Sequence, residues 1–176
     1  LEPLKGPFIT PDGFIKIPIT PEMISIASQK ADELGELKNS IRHGAGNLTG
    51  FLGEQLILSA FPDAESCPTY HYDILHEGKR LEVKTKDRTS VPLVNYECSV
   101  SAYNYEQRAD LYVFCSTHRR RGESVPFEGY ILGYISPEEY KAEAQFLPAG
   151  SLDPSNGWKV SADCYNLPIS KLVRFN

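Results

Sequence analysis

Asp73, Glu82 and Lys84, within the stretch YDILHEGKRLEVKTK (72–86), are the residues of this chain whose types and spacing could do chemistry. Two carboxylates and an ammonium on one surface can seat a divalent cation and hold an anion beside it. Mg²⁺ takes near-octahedral oxygen ligands and keeps several of its waters. Such a site can supply an attacking hydroxide, neutralise charge on a phosphate and assist a leaving oxygen, the three requirements of phosphodiester hydrolysis. The lysine could orient or deprotonate the nucleophile, or offset charge on the phosphorane; residue types alone leave these roles open.

The element that must position them is a hairpin. Ile74, Leu75, Leu81 and Val83 supply strand character, and Glu77-Gly78 supplies a two-residue turn. His76 then faces Lys79, Leu75 faces Arg80, Ile74 faces Leu81 and Asp73 faces Glu82. By alternation Ile74, Leu81 and Val83 share a buried face, and Asp73, Glu82 and Lys84 share the other. Directly opposed carboxylates destabilise a hairpin, and a cation held between them removes the conflict. The plain alternative is a solvated polar face, the commonest state of an antiparallel hairpin.

A third acid stands upstream. The segment GFLGEQLILSAF reads as a helix from about 49 to 61 that is apolar almost all round and therefore buried on most faces. Glu54 sits in its middle, and buried carboxylates are rare unless paired or bound to a metal. Gly53 would let that helix pass close to the hairpin. Asp73, Glu82, the Val83 backbone carbonyl and Glu54 are the candidate metal oxygens.

An acid, a turn, then acid–apolar–lysine inside an apolar strand is the D-(x)n-E-x-K pattern. On Asp73, Glu82 and Lys84 the chain resembles the PD-(D/E)XK phosphodiesterase superfamily, the restriction-endonuclease-like nucleases, with Tyr72 where the name-giving proline would stand. The resemblance implies an α/β fold with a central mixed β-sheet flanked by helices, its core in α-β-β-β-α-β order. It implies a catalytic set of Glu54, Asp73, Glu82 and Lys84, Mg²⁺ as cofactor with Mn²⁺ as a substitute, and a nucleic acid, DNA foremost, as partner. It allows a homodimer, since many relatives dimerise to cut two strands. A polar residue on the helix after E-x-K often faces the site in this superfamily, and Gln107 holds that place. A reading from another class is a non-catalytic nucleic-acid-binding or assembly module on the same fold.

The rest of the chain is read around this centre. Its 176 residues, 41% hydrophobic and 23% charged, suit one domain with a real core. That domain divides into an arm or edge strand over 1–19, a core over 20–136 and covering elements over 137–176. A net charge of −5 argues against a broad, sequence-blind polyanion binder. It leaves room for a nuclease whose carboxylates are offset by metal and whose basic residues cluster locally. Four cysteines without C-x-x-C spacing read as reduced thiols of a cytoplasmic protein. No apolar run reaches membrane-spanning length.

Thr20 caps and Pro21 opens a helix to about 42, with Ala27, Ala31, Leu34 and Ile41 as its buried stripe. Residues 62–68 read as a loop, 97–101 as a third strand, 102–108 as a short helix, and ADLYVFCST as the central, doubly covered strand. Lys86 extends the Lys84 face by one step and could hold an adjacent phosphate. Arg119 and Arg120, in the basic loop 118–122, could contact phosphates without reading sequence. Residues 129–135 read as a strand, and Ser136-Pro137-Glu138-Glu139 caps a helix to about 146. This tail resembles phage and prokaryotic proteins of the same superfamily. His71 is placed at the mouth of the site, and His43 precedes Glu54 at a spacing reminiscent of the superfamily's RNA-cutting branch. No histidine pair has i, i+4 spacing, which disfavours a zinc hydrolase.

Overall fold

In the computed structural model, residues 8–34, 45–67, 69, 72–102 and 108–175 are described. The chain is α/β, with a large mixed sheet flanked by helices and a second, smaller sheet. In chain order the elements are β1 (Phe8–Ile9), β2 (Ile15–Pro18), α1 (Pro21–Leu34), α2 (Ala45–Ala60), β3 (Glu65–Ser66), β4 (Ile74–His76), β5 (Lys79–Arg88), β6 (Glu97–Ser101), β7 (Leu111–His118), β8 (Glu128–Ile135), α3 (Pro137–Glu143), β9 (Gln145–Leu147) and β10 (Cys164–Pro168), followed by a 3₁₀ turn over Ile169–Lys171.

Seven strands form the large sheet in the order β1-β2-β8-β7-β5-β4-β3. Every neighbouring pair is antiparallel except β5 and β7, which run parallel from Leu81↔Leu111 to Arg88↔His118. A parallel pair needs a long crossover, and residues 89–110, which include β6, supply it. Strand β7 is the doubly covered strand that its apolar run predicts. Val113 and Cys115 face α1 and α2, in a core with Leu52, Leu56, Ile57 and Leu81. Tyr112 and Phe114 face the other way, in a core with Cys98, Val100, Tyr140 and Leu167.

Several expectations are corrected. Strand β6 lies at 97–101 as read, but it joins the small sheet β6-β10-β9 rather than the large one. Its Cys98 and Val100 are buried against β7's outer face, so it serves as cover. The third strand beside the hairpin is instead β3, inside the segment read as a loop; a two-residue strand leaves no periodicity to read. The edge strand on the N-terminal side of the sheet is β1, and β2 is interior, paired on both sides. Helix α2 starts at Ala45, earlier than the 49 expected. In α1 the Thr20 hydroxyl accepts the Met23 N–H at 3.2 Å, the expected cap. Ala27 is buried, but Leu34 is 48% exposed and leaves the stripe. Ile41 and nearly all of the 102–108 helix lie outside the described residues. Helix α3 stops at Glu143 and gives way to β9 before Phe146. The four cysteines are free thiols, and among the described residues no helix is long and apolar enough to cross a membrane.

Gly53 is where α2 meets the sheet, and a Cβ there would overlap the Thr85 hydroxyl. In an open helix Gly→Ala stabilises by about 1 kcal/mol. At this contact Gly53→Ala is expected to destabilise by about 1–3 kcal/mol through overpacking. Urea denaturation of the Gly53→Ala/Thr85→Ala double variant should show most of that cost relieved; strictly additive effects would rule out this contact as the cause.

Candidate active site

The hairpin forms in the register read from sequence, with Ile74↔Leu81, Leu75↔Arg80 and His76↔Lys79 paired. Glu77 and Gly78 have φ of 49° and 77°, both left-handed, as a type I′ turn requires. Asp73 departs from the expected pattern. The ladder strand begins only at Ile74. The Asp73 N–H still donates to the Leu81 carbonyl at 2.8 Å, but its Oδ2 accepts the Val83 N–H at 2.9 Å. A side chain thus replaces the backbone acceptor that a longer β4 would have offered. Past this point the β4 side of β5 has no strand neighbour among the described residues. A strand residue turns its N–H and C=O toward the same edge, so the Val83 carbonyl faces that opening with Asp73.

The plain alternative of a solvated outer face does not hold at Glu82, because both faces of β5 are covered over 81–83. Leu81 and Val83 pack toward α2, while Glu82 on the other face is 5% exposed. The Lys84 ammonium donates to Glu82 Oε1 at 2.9 Å. Glu82 Oε2 is buried without a hydrogen-bond donor. Asp73 stands beside it as a second carboxylate, and two carboxyl groups can bond to one another only when one keeps a proton. Glu54 reaches the same region from α2 and is 9% exposed.

The electrostatics follow from this burial. Desolvation, then the Asp73 charge, pushes the Glu54 carboxyl up to about 8, with the Lys30 ammonium opposing and Glu82 adding to the rise. Glu82 is pushed up to about 7, chiefly by desolvation; Lys84 opposes the rise and Asp73 adds to it. Asp73 is also raised by desolvation, against the Val83 N–H and Lys84. Burial and mutual repulsion thus make each of the three acids harder to ionise than it is in water.

No family model matches the chain, and no curated protein or solved structure is significantly similar to it.

Lys84 is paired with Glu82 on β5, and the charges of Asp73 and Glu82 reach Glu54 on α2. Among the described residues, no three His, Cys, Asp or Glu side chains stand as a group able to hold a metal ion as they are. Seating a cation therefore requires side-chain rotation on this backbone. The donor set nevertheless suits a hard divalent ion: carboxylates, a strand-edge carbonyl and a buried Glu82 oxygen that lacks a donor. Lys86 lines a cavity with Lys84 on the same face of β5.

Arg119 and Arg120 sit elsewhere, at the end of β7 beside the far end of β5. The Arg119 Nε donates to Asp87 Oδ2 at 2.6 Å, and the Arg120 guanidinium lies 4.1 Å from the Phe127 ring. These contacts tie the loop to the end of β5 through Asp87 and to Phe127 ahead of β8. Gln107, His71 and His43 lie outside the described residues. Sequence reasoning missed Lys30, whose charge reaches Glu54, and Arg88, which shares the Lys84 and Lys86 cavity. Extending the period of two from Lys84 by four residues would have found Arg88.

The raised acids set the pH dependence of stability. Between the unfolded value near 4.5 and the folded values of about 7 and 8, the folded chain binds more protons than the unfolded one. Stability therefore falls as pH rises through that window. In EDTA the melting temperature should drop from pH 5 to pH 8, and Glu54→Gln should flatten the curve and raise its alkaline end. A Glu54→Gln profile parallel to the parent's would exclude Glu54 as a source of the slope.

Proposed function

We propose that this protein is a divalent-cation-dependent nuclease that hydrolyses phosphodiester bonds, with DNA as the first expected substrate, on a restriction-endonuclease-like core. One observation carries the reading: the buried Glu54 on a helix feels the charges of Asp73 and Glu82, Asp73 accepts the Val83 N–H where β4 ends, and Lys84 is held 2.9 Å from Glu82. The order α2, β3, β4, β5 and then β7, with those four strands adjacent in the sheet, supports it. This is the helix, three strands and later strand that the resemblance implies, with β3 in place of β6.

Asp73, Glu82, the Val83 carbonyl and Glu54 are the residues that would hold Mg²⁺, or Mn²⁺ in its place. The bound cation supplies charge neutralisation on the phosphate and a more acidic attacking water. The protein's own groups do the rest. Carboxylates that lose their protons become available as ligands and as acceptors for a water proton. The Lys84 ammonium has three protons, one of them on Glu82, and can donate others to a phosphate oxygen as charge builds there. Burial of the site strengthens each of these interactions relative to water.

A non-catalytic binding module on the same fold is the competing reading. It gives no physical reason to keep a donorless Glu82 oxygen beside two other acids in a dry site, because apolar replacements of similar volume would be more stable.

The test is metal-dependent cleavage of plasmid and single-stranded DNA in Mg²⁺, in Mn²⁺ and in EDTA. Lys84→Ala and Asp73→Asn should each lower cutting by about 100-fold or more while the fold persists. Binding without cutting in every metal would favour the module. Mg²⁺ should raise the melting temperature, more at pH 8 than at pH 6 because protons compete for the same oxygens. Asp73→Asn should lose that shift; an unchanged shift would remove Asp73 from the ligand set.

A further inference from the structure

Alternate residues of β5 continue past the acids as Lys84, Lys86 and Arg88, all on one face by the period of two. The three line a cavity of about 100 Å³ between β5 and β6, with Glu97 and Ser99 on the β6 side and Phe114 from β7. The charges in it do not balance: Lys84 is paired with Glu82, and the remaining two cations, Lys86 and Arg88, meet one carboxylate, Glu97. Among the described residues, no carboxylate stands within ion-pairing distance of the Lys86 ammonium. Arg88 donates from Nη2 to the Glu97 carbonyl at 2.9 Å and lies 4.9 Å from the Tyr96 ring, yet its buried Nε has no acceptor. Burial, with Arg88 adding repulsion, holds the Lys86 ammonium below its ordinary value. A desolvated ammonium with no carboxylate beside it and a buried guanidinium N–H with no acceptor are both costly, and an anion in the cavity would relieve that cost.

Size and charge narrow the anion. The cavity lies well below the roughly 300 Å³ at which pockets begin to take drug-sized ligands, which suits a small oxyanion rather than a nucleoside. A phosphodiester inside a strand cannot enter without the sugars on both sides of it. A phosphate monoester can enter alone, and its terminal oxygens offer acceptors to both the Lys86 ammonium and the unsatisfied Arg88 Nε.

We propose that this cavity is the subsite for the terminal phosphate monoester of a nucleic-acid strand, set one residue step along β5 from the acid cluster. The assignment to a strand end rests on the nuclease reading; the assignment to a phosphate does not. Lys84 borders both places, touching Glu82 on one side and lining the cavity on the other. A strand anchored by its end phosphate would present a nearby phosphodiester to the acids, so the protein should favour phosphorylated ends.

Two measurements on the full chain in EDTA test this without requiring cleavage. The first titrates inorganic phosphate against melting temperature. A saturable rise is expected for the parent and for Lys86→Arg, and none for Lys86→Gln. Absence of a saturable rise in the parent, or an undiminished rise in a folded Lys86→Gln, overturns the cavity as a phosphate site. The second compares fluorescence anisotropy of one oligonucleotide bearing a 5′-phosphate, a 3′-phosphate or neither. One phosphorylated end should bind about tenfold tighter than hydroxyl ends, the scale of one charge-assisted contact, and inorganic phosphate should abolish the difference. Equal binding of all three, with the phosphate titration still saturable, overturns the strand-end assignment and leaves the nuclease reading to its own cleavage assay.

Discussion

The hydrogen bond from the Val83 N–H to Asp73 Oδ2 is the contact on which the site depends. It ends the β4 ladder while satisfying the backbone donor that the ending would otherwise strand. An unpaired buried N–H costs as much as a lost hydrogen bond, so a strand can stop beside a longer partner only if another acceptor is supplied. Asp73 supplies it, which leaves one edge of β5 without a strand from this point on. Across that edge the two faces of the sheet meet. Without the opening, Glu54 on the α2 side and Glu82 on the opposite side would be separated by a paired sheet.

The acids occupy this opening at a cost to stability. Each is desolvated, each raises its neighbours' hold on protons, and one oxygen of Glu82 lacks a donor. Lys84 compensates only part of the charge. A stretch that stores repulsion inside a well-packed core is where a functional site is expected, because stability alone favours apolar residues there. The surrounding structure tolerates the strain: β5 lies between β4 and β7 over its first half, and β7 is covered on both faces by separate cores.

The small sheet gives β5 its second role. Strand β6 leaves the large sheet and lies over the outer face of β5 and β7, making the lid of a narrow crevice rather than another rung. Alternation on β5 then places an acid under cover at Glu82, a shared cation at Lys84, and two further cations at Lys86 and Arg88 in the crevice. One strand carries both the acids' partner and the anion's counter-charges, spaced by the pleat.

The sequence by itself determined the local features. The Glu77-Gly78 turn fixed the hairpin register because only residues that tolerate positive φ make a two-residue return. The apolar runs of α2 and β7 marked elements buried on most sides, and Glu54 stood out because an acid in such a helix needs a partner. The tertiary structure alone decided that β3 rather than β6 completes the sheet beside the hairpin, that Glu82 on the outer face of β5 is buried, and that Asp73 bonds to backbone instead of simply opposing Glu82. It also decided that Arg119 pairs with Asp87 at the end of β5 and Arg120 stacks on Phe127, while Arg88 turns to the crevice. These depend on pairings and cover from residues distant in the chain, and a period of two states which side chains share a face without stating what, if anything, lies against it.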